Sequence, residues 1–255
     1  MDFTYSLSIR RAVVAGALAG LVTAVFVALV GESSIDAAIA IEEAAAEGES
    51  GEDPLFSRGA QVIGGISGAV VYGIMVGVVF GTVFASVRHR LTLANDFRRS
   101  ILLAAIGFVT TALIPALKYP ANPPAVGDPD TVAQRTIYYF SLLFAAIVLA
   151  VVIGTFYRWL RNRSDQATTV VATTALSLAA FTFVFLAWPS SPDSVPDDFP
   201  PSLLWEFRLE SLAGLALLWV ALGLGFGWLN RPRPVDIDLT KTTGPAAERN
   251  PASQR

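Results

Sequence analysis

Residues 60–87 read AQVIGGISGAVVYGIMVGVVFGTVFASV and contain no Asp, Glu, Lys, Arg or His. A bilayer core about 30 Å thick is crossed by about 20 helical residues, so this segment is long enough to span it. Backbone N–H and C=O groups inside hydrocarbon find no water, and a helix satisfies them within the segment. The sequence therefore predicts a transmembrane helix at this position.

Five further apolar segments without charged residues divide the rest of the chain. They are residues 12–31, 101–117, 137–157, 167–188 and 212–229. Charged residues make up only 15% of the chain, whereas soluble domains carry about a quarter. We predict an all-α integral membrane protein, a bundle of about six transmembrane helices with structured outer loops. Residues 1–231 would form the membrane domain, and 232–255 a disordered cytoplasmic tail.

The basic residues predict the orientation of the chain. All but four of the 18 lie in the N-terminus, residues 88–100, residues 158–166 and the C-terminal tail. The four exceptions are Arg58, Lys118, Arg135 and Arg208. Arginine-rich loops stay in the cytoplasm, so we expect both termini to be cytoplasmic and the protein to lie in the inner membrane. Most of the 21 acidic residues then fall in the outer segments, where their field would attract cations.

Catalysis has little support in the sequence. There is no cysteine, the single histidine is His89 in a basic loop, and no Gly-rich phosphate-binding motif is present. The uncharged spans also lack an acid–base pair for an intramembrane enzyme. We therefore expect no enzyme activity and no cofactor, with the lipid bilayer as a partner and no nucleic acid.

Carboxylates at the outer surface are the candidate metal ligands. Glu32, Asp36 and Glu43 would share one face of a helix, and Glu206 and Glu210 are four residues apart above the last span. Oxygen ligands of this kind can hold a hydrated divalent cation. The alternative is a solvated face of an amphipathic helix on the membrane surface. The full set of candidates is Glu32, Asp36, Glu42, Glu43, Asp128, Asp130, Glu206 and Glu210.

The second outer segment, residues 118–136, contains four prolines and should be stiff and extended. It would hold Asp128 and Asp130 in fixed positions as a selectivity or docking element, or only stiffen the surface. Lys118 is expected to pair with one of these two acids. Pro115 predicts a kink in the third span, and Pro201 suits the first turn of a helix that continues into the last span.

Three stretches resemble one family. They are KYPANPPAVGDPDT at 118–131, GE at 31–32 with IDAAIA at 35–40 and EE at 42–43, and FP at 199–200 with LWEFRLESL at 204–212. Over about residues 9–231 the chain resembles the CbtA-type predicted cobalt transporter subunits. The resemblance implies a polytopic subunit of a cobalt uptake system linked to cobalamin synthesis. It also implies a small one-span partner that bears histidines.

The residues and the resemblance differ over the metal. Relatives place histidines after the Glu-Glu pair, but here residues 44–49 read AAAEGE. Sites built from oxygen alone favour Mg²⁺, Ca²⁺ or Mn²⁺, whereas imidazole suits cobalt. If Co²⁺ is the transported ion, we expect the partner to supply nitrogen ligands. The alternative function is a membrane scaffold or accessory protein that carries no ion and recruits a partner. The oligomeric state stays open.

Overall fold

The computed structural model describes residues 5–46, 57–91 and 93–231. The eight α-helices of this part are α1 Tyr5–Phe26, α2 Glu32–Ala46, α3 Arg58–Val87, α4 Asp96–Phe108, α5 Ile114–Lys118, α6 Val132–Arg161, α7 Gln166–Ala187 and α8 Pro201–Leu229. They form six helical stretches that are long and apolar enough to cross a membrane, so the predicted fold class is confirmed. The predicted disordered tail at 232–255 lies outside the described residues.

The first span continues without a break into the first outer segment. A π-turn, Val27–Gly31, joins α1 to α2, and the stretch Tyr5–Ala45 is 41 residues long. At 1.5 Å per residue it measures about 60 Å, about twice the hydrocarbon thickness. Much of α2 therefore extends beyond the hydrocarbon, which agrees with the outer helix predicted to carry Glu32, Asp36 and Glu43.

Helices α1 and α3 pack against each other in antiparallel orientation at very short range. Gly16 lies against Gly73 and Gly77, and Gly20 lies against Ala69 and Val70. A Cβ atom added at Gly16 would be 3.1 Å from the Cα atom of Gly77. Small residues allow such approach in lipid, where dispersion between close backbones replaces the hydrophobic effect.

Helix α8 completes the central core together with α4. Phe226 packs against Phe84 with their ring centroids 5.0 Å apart, and the buried Ser100 hydroxyl donates a hydrogen bond of 2.7 Å to the Gly223 carbonyl. That bond joins α4 to α8 because it reaches a carbonyl of the neighbouring helix. The buried apolar residues of this core are Ala12, Ala15, Ala19, Phe80, Phe84, Ala104, Leu218, Leu222 and Phe226.

Helices α6 and α7 lie at the edge of the bundle and pack chiefly against each other. Phe144 on α6 and Phe183 on α7 are 70% and 71% exposed, and Thr169 is the buried residue of α7. In a membrane, exposed apolar side chains of this kind face acyl chains or another membrane helix. These two helices therefore add little to the central core.

The third span is interrupted where the sequence predicts a kink. A π-turn, Val109–Leu113, separates α4 from α5, and the buried Pro115 is the second residue of α5. Proline has no N–H and cannot continue the α-helical ladder. Thr110 and Thr111 donate their hydroxyl hydrogens to the Gly107 carbonyl, which satisfies a backbone acceptor beside this break.

The arginine-rich segments meet at the end of the bundle opposite the acidic ones. Asp96 lies between Arg88 and Arg99, with N–O distances of 2.9 and 2.8 Å. Arg11 donates a hydrogen bond of 3.0 Å to the side chain of Asn230. The predicted separation of charge between the two ends is therefore present in the fold, while the side of the membrane that each end faces stays a prediction.

Candidate functional site: the outer cap

Three segments that connect the spans pack together at one end of the bundle: α2, the proline-rich residues 118–136 and residues 188–200 between α7 and α8. Ala38 of α2, Val126 of the proline-rich segment and Phe199 of the third segment form a second buried apolar cluster. We call this assembly the outer cap; it consists of α2, residues 119–131, residues 189–200 and the outer end of α8, residues 201–212. It has an apolar interior of its own, so its polar residues are held by a folded support.

Asp193 is the polar centre of the outer cap, with a side chain only 8% exposed. Its carboxylate accepts hydrogen bonds from Thr131 Oγ1 at 2.6 Å, Asn122 Nδ2 at 3.2 Å and Arg135 Nη1 at 3.2 Å. Burial acts to raise the pKa of Asp193, but the hydrogen bonds from Thr131 and Arg135 and the Arg135 charge lower it below the ordinary value. Asp193 therefore stays ionised and joins the second outer segment to the third.

Asn122 extends this network to the last span. Its Oδ1 atom accepts a hydrogen bond of 3.0 Å from Arg208 Nη2, and Arg208 Nε donates to the Ala121 carbonyl at 3.3 Å. The Tyr119 hydroxyl donates to the Pro189 carbonyl at 2.7 Å. Arg208 therefore holds the proline-rich segment against α8 and forms no ion pair with the candidate acids in the described part of the chain.

The expected ion pair of Lys118 with Asp128 or Asp130 is wrong. The Lys118 ammonium donates to the Phe185 carbonyl at 2.9 Å and lies 5.0 Å from the centre of the Phe185 ring. This position joins the end of the third span to the outer end of α7. The free carbonyl groups of the last turn of a helix attract a cation, which explains why Lys118 binds the end of α7 and not the acids of the proline-rich segment.

The proline-rich segment has a defined backbone, as its composition predicts. Gly127 has φ of 120°, and a Cβ atom there would lie 2.7 Å from Arg135 Nη1, so glycine is required. Asp128 Oδ1 accepts a hydrogen bond of 2.8 Å from the backbone N–H of Asp130 and caps the short turn Pro129–Thr131. Asp128 and Asp130 are both exposed.

Three of the other candidate acids already have partners. Arg58 forms ion pairs of 2.5 Å with Glu32 and with Asp36, and Glu210 accepts a hydrogen bond of 2.5 Å from the Ser34 hydroxyl. The shared face predicted for Glu32 and Asp36 is therefore present, but a guanidinium lies against it. The remaining candidates, Glu42, Glu43 and Glu206, are exposed.

The eight candidate acids share one end of the bundle without forming a preformed chelate. Within residues 5–46, 57–91 and 93–231, no three acidic or histidine side chains come together in a way that could hold a metal ion. Such an arrangement can attract cations electrostatically without binding one tightly. Whether these acids bind a cation stays a prediction.

A family model described as a probable cobalt transporter subunit, CbtA, matches residues 7–231. The chain belongs to the CbtA family. No curated protein and no solved structure matches it. The resemblance noted from the sequence is thereby confirmed, and it makes this multi-pass chain one subunit of a transporter.

The outer cap contains the stretches that carried the CbtA resemblance. Residues 118–131, 31–43 and 199–212 are far apart in the sequence, yet they supply Asn122, Ala38 and Arg208 to this one assembly. Sequence reasoning missed the central roles of Asp193, Asn122 and Arg58. Asn122 and Arg208 lie inside the quoted stretches, which was the available signal, whereas no pattern distinguishes Asp193 from the other outer acids.

Proposed function

We propose that this CbtA subunit imports Co²⁺ across the cytoplasmic membrane, with the outer cap facing away from the cytoplasm and gathering the cation. The observation that carries the proposal is the family match over residues 7–231, which includes every span and all segments of the outer cap. The excess of arginine at the opposite end supports this orientation, because basic loops stay in the cytoplasm.

The exposed acids of the outer cap act as a collector. Glu42, Glu43, Asp130 and Glu206 are exposed and make no ion pair in the described part of the chain. A group of like charges raises the local concentration of hydrated divalent cations, and weak binding lets the cation move on. Tight binding would instead slow the release that transport requires.

A partner subunit supplies the nitrogen ligands that prefer cobalt. The one histidine of this chain, His89, lies in a short helical turn, Arg88–Arg90, at the end opposite the outer cap. Carboxylate oxygens alone suit Mg²⁺, Ca²⁺ and Mn²⁺ and do not select cobalt, whereas imidazole nitrogen suits the later transition metals. We therefore propose a small one-span membrane partner whose histidines take the ion from the collector.

Removing charge from the collector should reduce uptake at limiting cobalt. With Glu42→Gln and Glu43→Gln combined, we expect the initial rate of cobalt accumulation to fall severalfold, since local cation concentration depends on the field. The measurement is accumulation of radioactive Co²⁺ in a transport-deficient host that also expresses the histidine-bearing partner, normalised to the amount of protein in the membrane.

The matched control replaces two acids of the C-terminal tail, Asp238→Asn and Glu248→Gln, and so removes the same charge from the other end of the sequence. Uptake should then remain at the parent level. Unchanged uptake by the Glu42/Glu43 variant, with normal protein in the membrane, would contradict the collector. If uptake also persisted without the chain, the scaffold interpretation would stand.

Cobalt uptake should require co-expression with the histidine-bearing partner. We expect this chain alone to give background accumulation and the pair to give full accumulation, because the nitrogen ligands come from the partner. Replacing the partner's histidines with alanine should return uptake to background while the complex still assembles. Full cobalt accumulation by this chain alone would contradict the division of roles.

A further inference from the structure

The contact between α1 and α3 changes character along its length. In its central part, Gly16 faces Gly73 and Gly20 faces Ala69, with backbone against backbone. The pairing follows a constant antiparallel register, so Ala24 comes next and faces the region of Gly65. At Gly65 an added Cβ atom would meet nothing within 4 Å, so the two helices have separated there.

A cavity of about 170 Å³ fills this separation. It is lined by Ala24, Val27 and Ala28 on one side and by Gln61, Val62 and Gly65 on the other. The π-turn Val27–Gly31 borders it. Such turns are rare and recur at functional sites because they change the direction of a helix face. The cavity therefore continues the interface between α1 and α3 where tight packing ends.

An arginine bridges α2 and α3 at the outer end of this cavity, which is partly open to its surroundings. Arg58, the first residue of α3, contacts Glu32 and Asp36 of α2 at 2.5 Å and donates a further hydrogen bond of 3.1 Å to Gln61. Glu32 and Arg58 both line the cavity. The Arg58 and Asp36 side chains are 40% and 57% exposed, so water and ions reach the pair. Exposed ion pairs of this kind are weak enough to break reversibly.

The two helices that Arg58 joins, α2 and α3, differ in how firmly they are held. Helix α2 is fixed in the outer cap, because Ala38 packs on Phe199 and Ser34 bonds Glu210. The first 11 residues of α3, at its outer end, contain Gly59, Gly64, Gly65 and Gly68, each with open space around an added Cβ atom. Glycine is a poor helix former and lowers the cost of bending. The outer end of α3 is therefore the side that can move.

We propose that the ion pairs of Arg58 with Glu32 and Asp36 form a latch that holds the outer end of α3 over the cavity. When the latch opens, α3 bends at its glycine-rich stretch and the cavity widens toward the outer aqueous phase. The latch deepens the proposed function, since it controls entry at the surface where cations collect. The movement itself needs no cobalt and is measured without transport.

A single cysteine at the bottom of the cavity tests the latch. The chain has no cysteine, so Ala24→Cys introduces one thiol at a position that is 4% exposed. The purified protein is placed in lipid nanodiscs and treated with a charged, membrane-impermeant thiol reagent. Arg58→Gln, and separately Glu32→Gln with Asp36→Asn, should increase the initial labelling rate at least about fivefold, as expected when both exposed ion pairs of the latch are lost.

Three controls separate the latch from general loosening. Arg58→Lys keeps the charge and should stay close to the parent rate. Asp197→Asn with Asp198→Asn removes two exposed outer charges and should change nothing. Ala19→Cys, buried at 1% in the closed interface, should remain unlabelled in every background. Equal labelling of Ala24→Cys with and without Arg58, or a parallel rise at Ala19→Cys, would overturn the latch.

Failure of the latch and failure of the proposed function give different results. If labelling does not respond to Arg58→Gln while the Glu42/Glu43 variant still loses uptake, the collector stands and the latch is wrong. If labelling responds while uptake never depends on the outer acids, the latch is a property of the fold and the proposed capture is wrong.

Discussion

Replacing Gly73 with leucine should prevent the central helix pair from forming. A Cβ atom at Gly73 would lie 2.8 Å from both the N and Cα atoms of Gly20, and it would also meet the Gly16 carbonyl oxygen. These neighbours are backbone atoms, so α1 and α3 would have to move apart along their whole contact. We expect a loss of at least about 3 kcal/mol, at the upper limit for an overpacked core. The measurement is the yield of monodisperse protein in mild detergent and its thermal midpoint.

The matched control is Gly68→Leu on the same helix. A Cβ atom at Gly68 would meet nothing within 4 Å, and Gly68 is exposed. Both substitutions raise helix propensity by up to about 1 kcal/mol, so propensity alone predicts that both variants gain stability. We expect Gly68→Leu to behave like the parent. Equal behaviour of the two variants would contradict the packing that the structure shows.

Replacing Asp193 with alanine should separate the proline-rich segment from the rest of the outer cap. The substitution removes the carboxylate that accepts hydrogen bonds from Thr131, Asn122 and Arg135. It also leaves the positive charge of Arg135 without its partner. Hydrogen bonds to charged groups contribute about 1.5–3 kcal/mol. Arg135 is 37% exposed, so water can hydrate its guanidinium after the carboxylate is removed and offset part of the lost stability. We therefore expect a net loss of about 3 kcal/mol. Limited proteolysis of residues 119–131 and the thermal midpoint both report it.

The control for this prediction is Asp197→Ala, an exposed acid in the same segment. It should leave proteolysis and the thermal midpoint unchanged, which separates the network from the effect of outer charge. If Asp193→Ala behaved like Asp197→Ala, the network would not hold the cap together.

Acid should remove the contribution of Asp193 in a defined direction. The pKa of Asp193 is lower in the folded protein than in the unfolded chain, so the folded state favours the ionised form. The resulting stability is fully present above the unfolded pKa of about 3.9 and is lost as the pH falls through the lower folded value. The difference in thermal midpoint between the parent and Asp193→Asn should therefore be constant near neutral pH and shrink below about pH 4.

The outer acids illustrate how far sequence reasoning reaches at this site. The spacing of Glu32 and Asp36 predicts a shared helix face, and both side chains do contact one group. That group is Arg58, which the sequence offers only as one of four outer basic residues. Nothing local relates residue 58 to residues 32 and 36, because their contact depends on the register between α2 and α3.

The glycines of α3 show the same limit. Gly64 and Gly68 have the same four-residue spacing as Gly73 and Gly77, a pattern that by itself favours close helix packing at both places. The structure packs Gly73 and Gly77 against α1 and leaves Gly64 and Gly68 open. A spacing identifies a face that can pack closely, while the partner of that face depends on where the helix lies in the bundle.

By itself, the sequence determined the six spans, the helix that begins at Pro201 and the separation of charge between the two ends. Each follows from properties summed over a short window, since membrane insertion depends on the hydropathy of a segment and a helix start depends on a few residues. The tertiary structure alone decided that Asp193 organises the outer cap, that Lys118 binds a carbonyl of α7 and that Arg58 joins α2 to α3 beside a cavity. These contacts join residues distant in the chain, and their energies depend on distances and burial that exist only after the helices have packed.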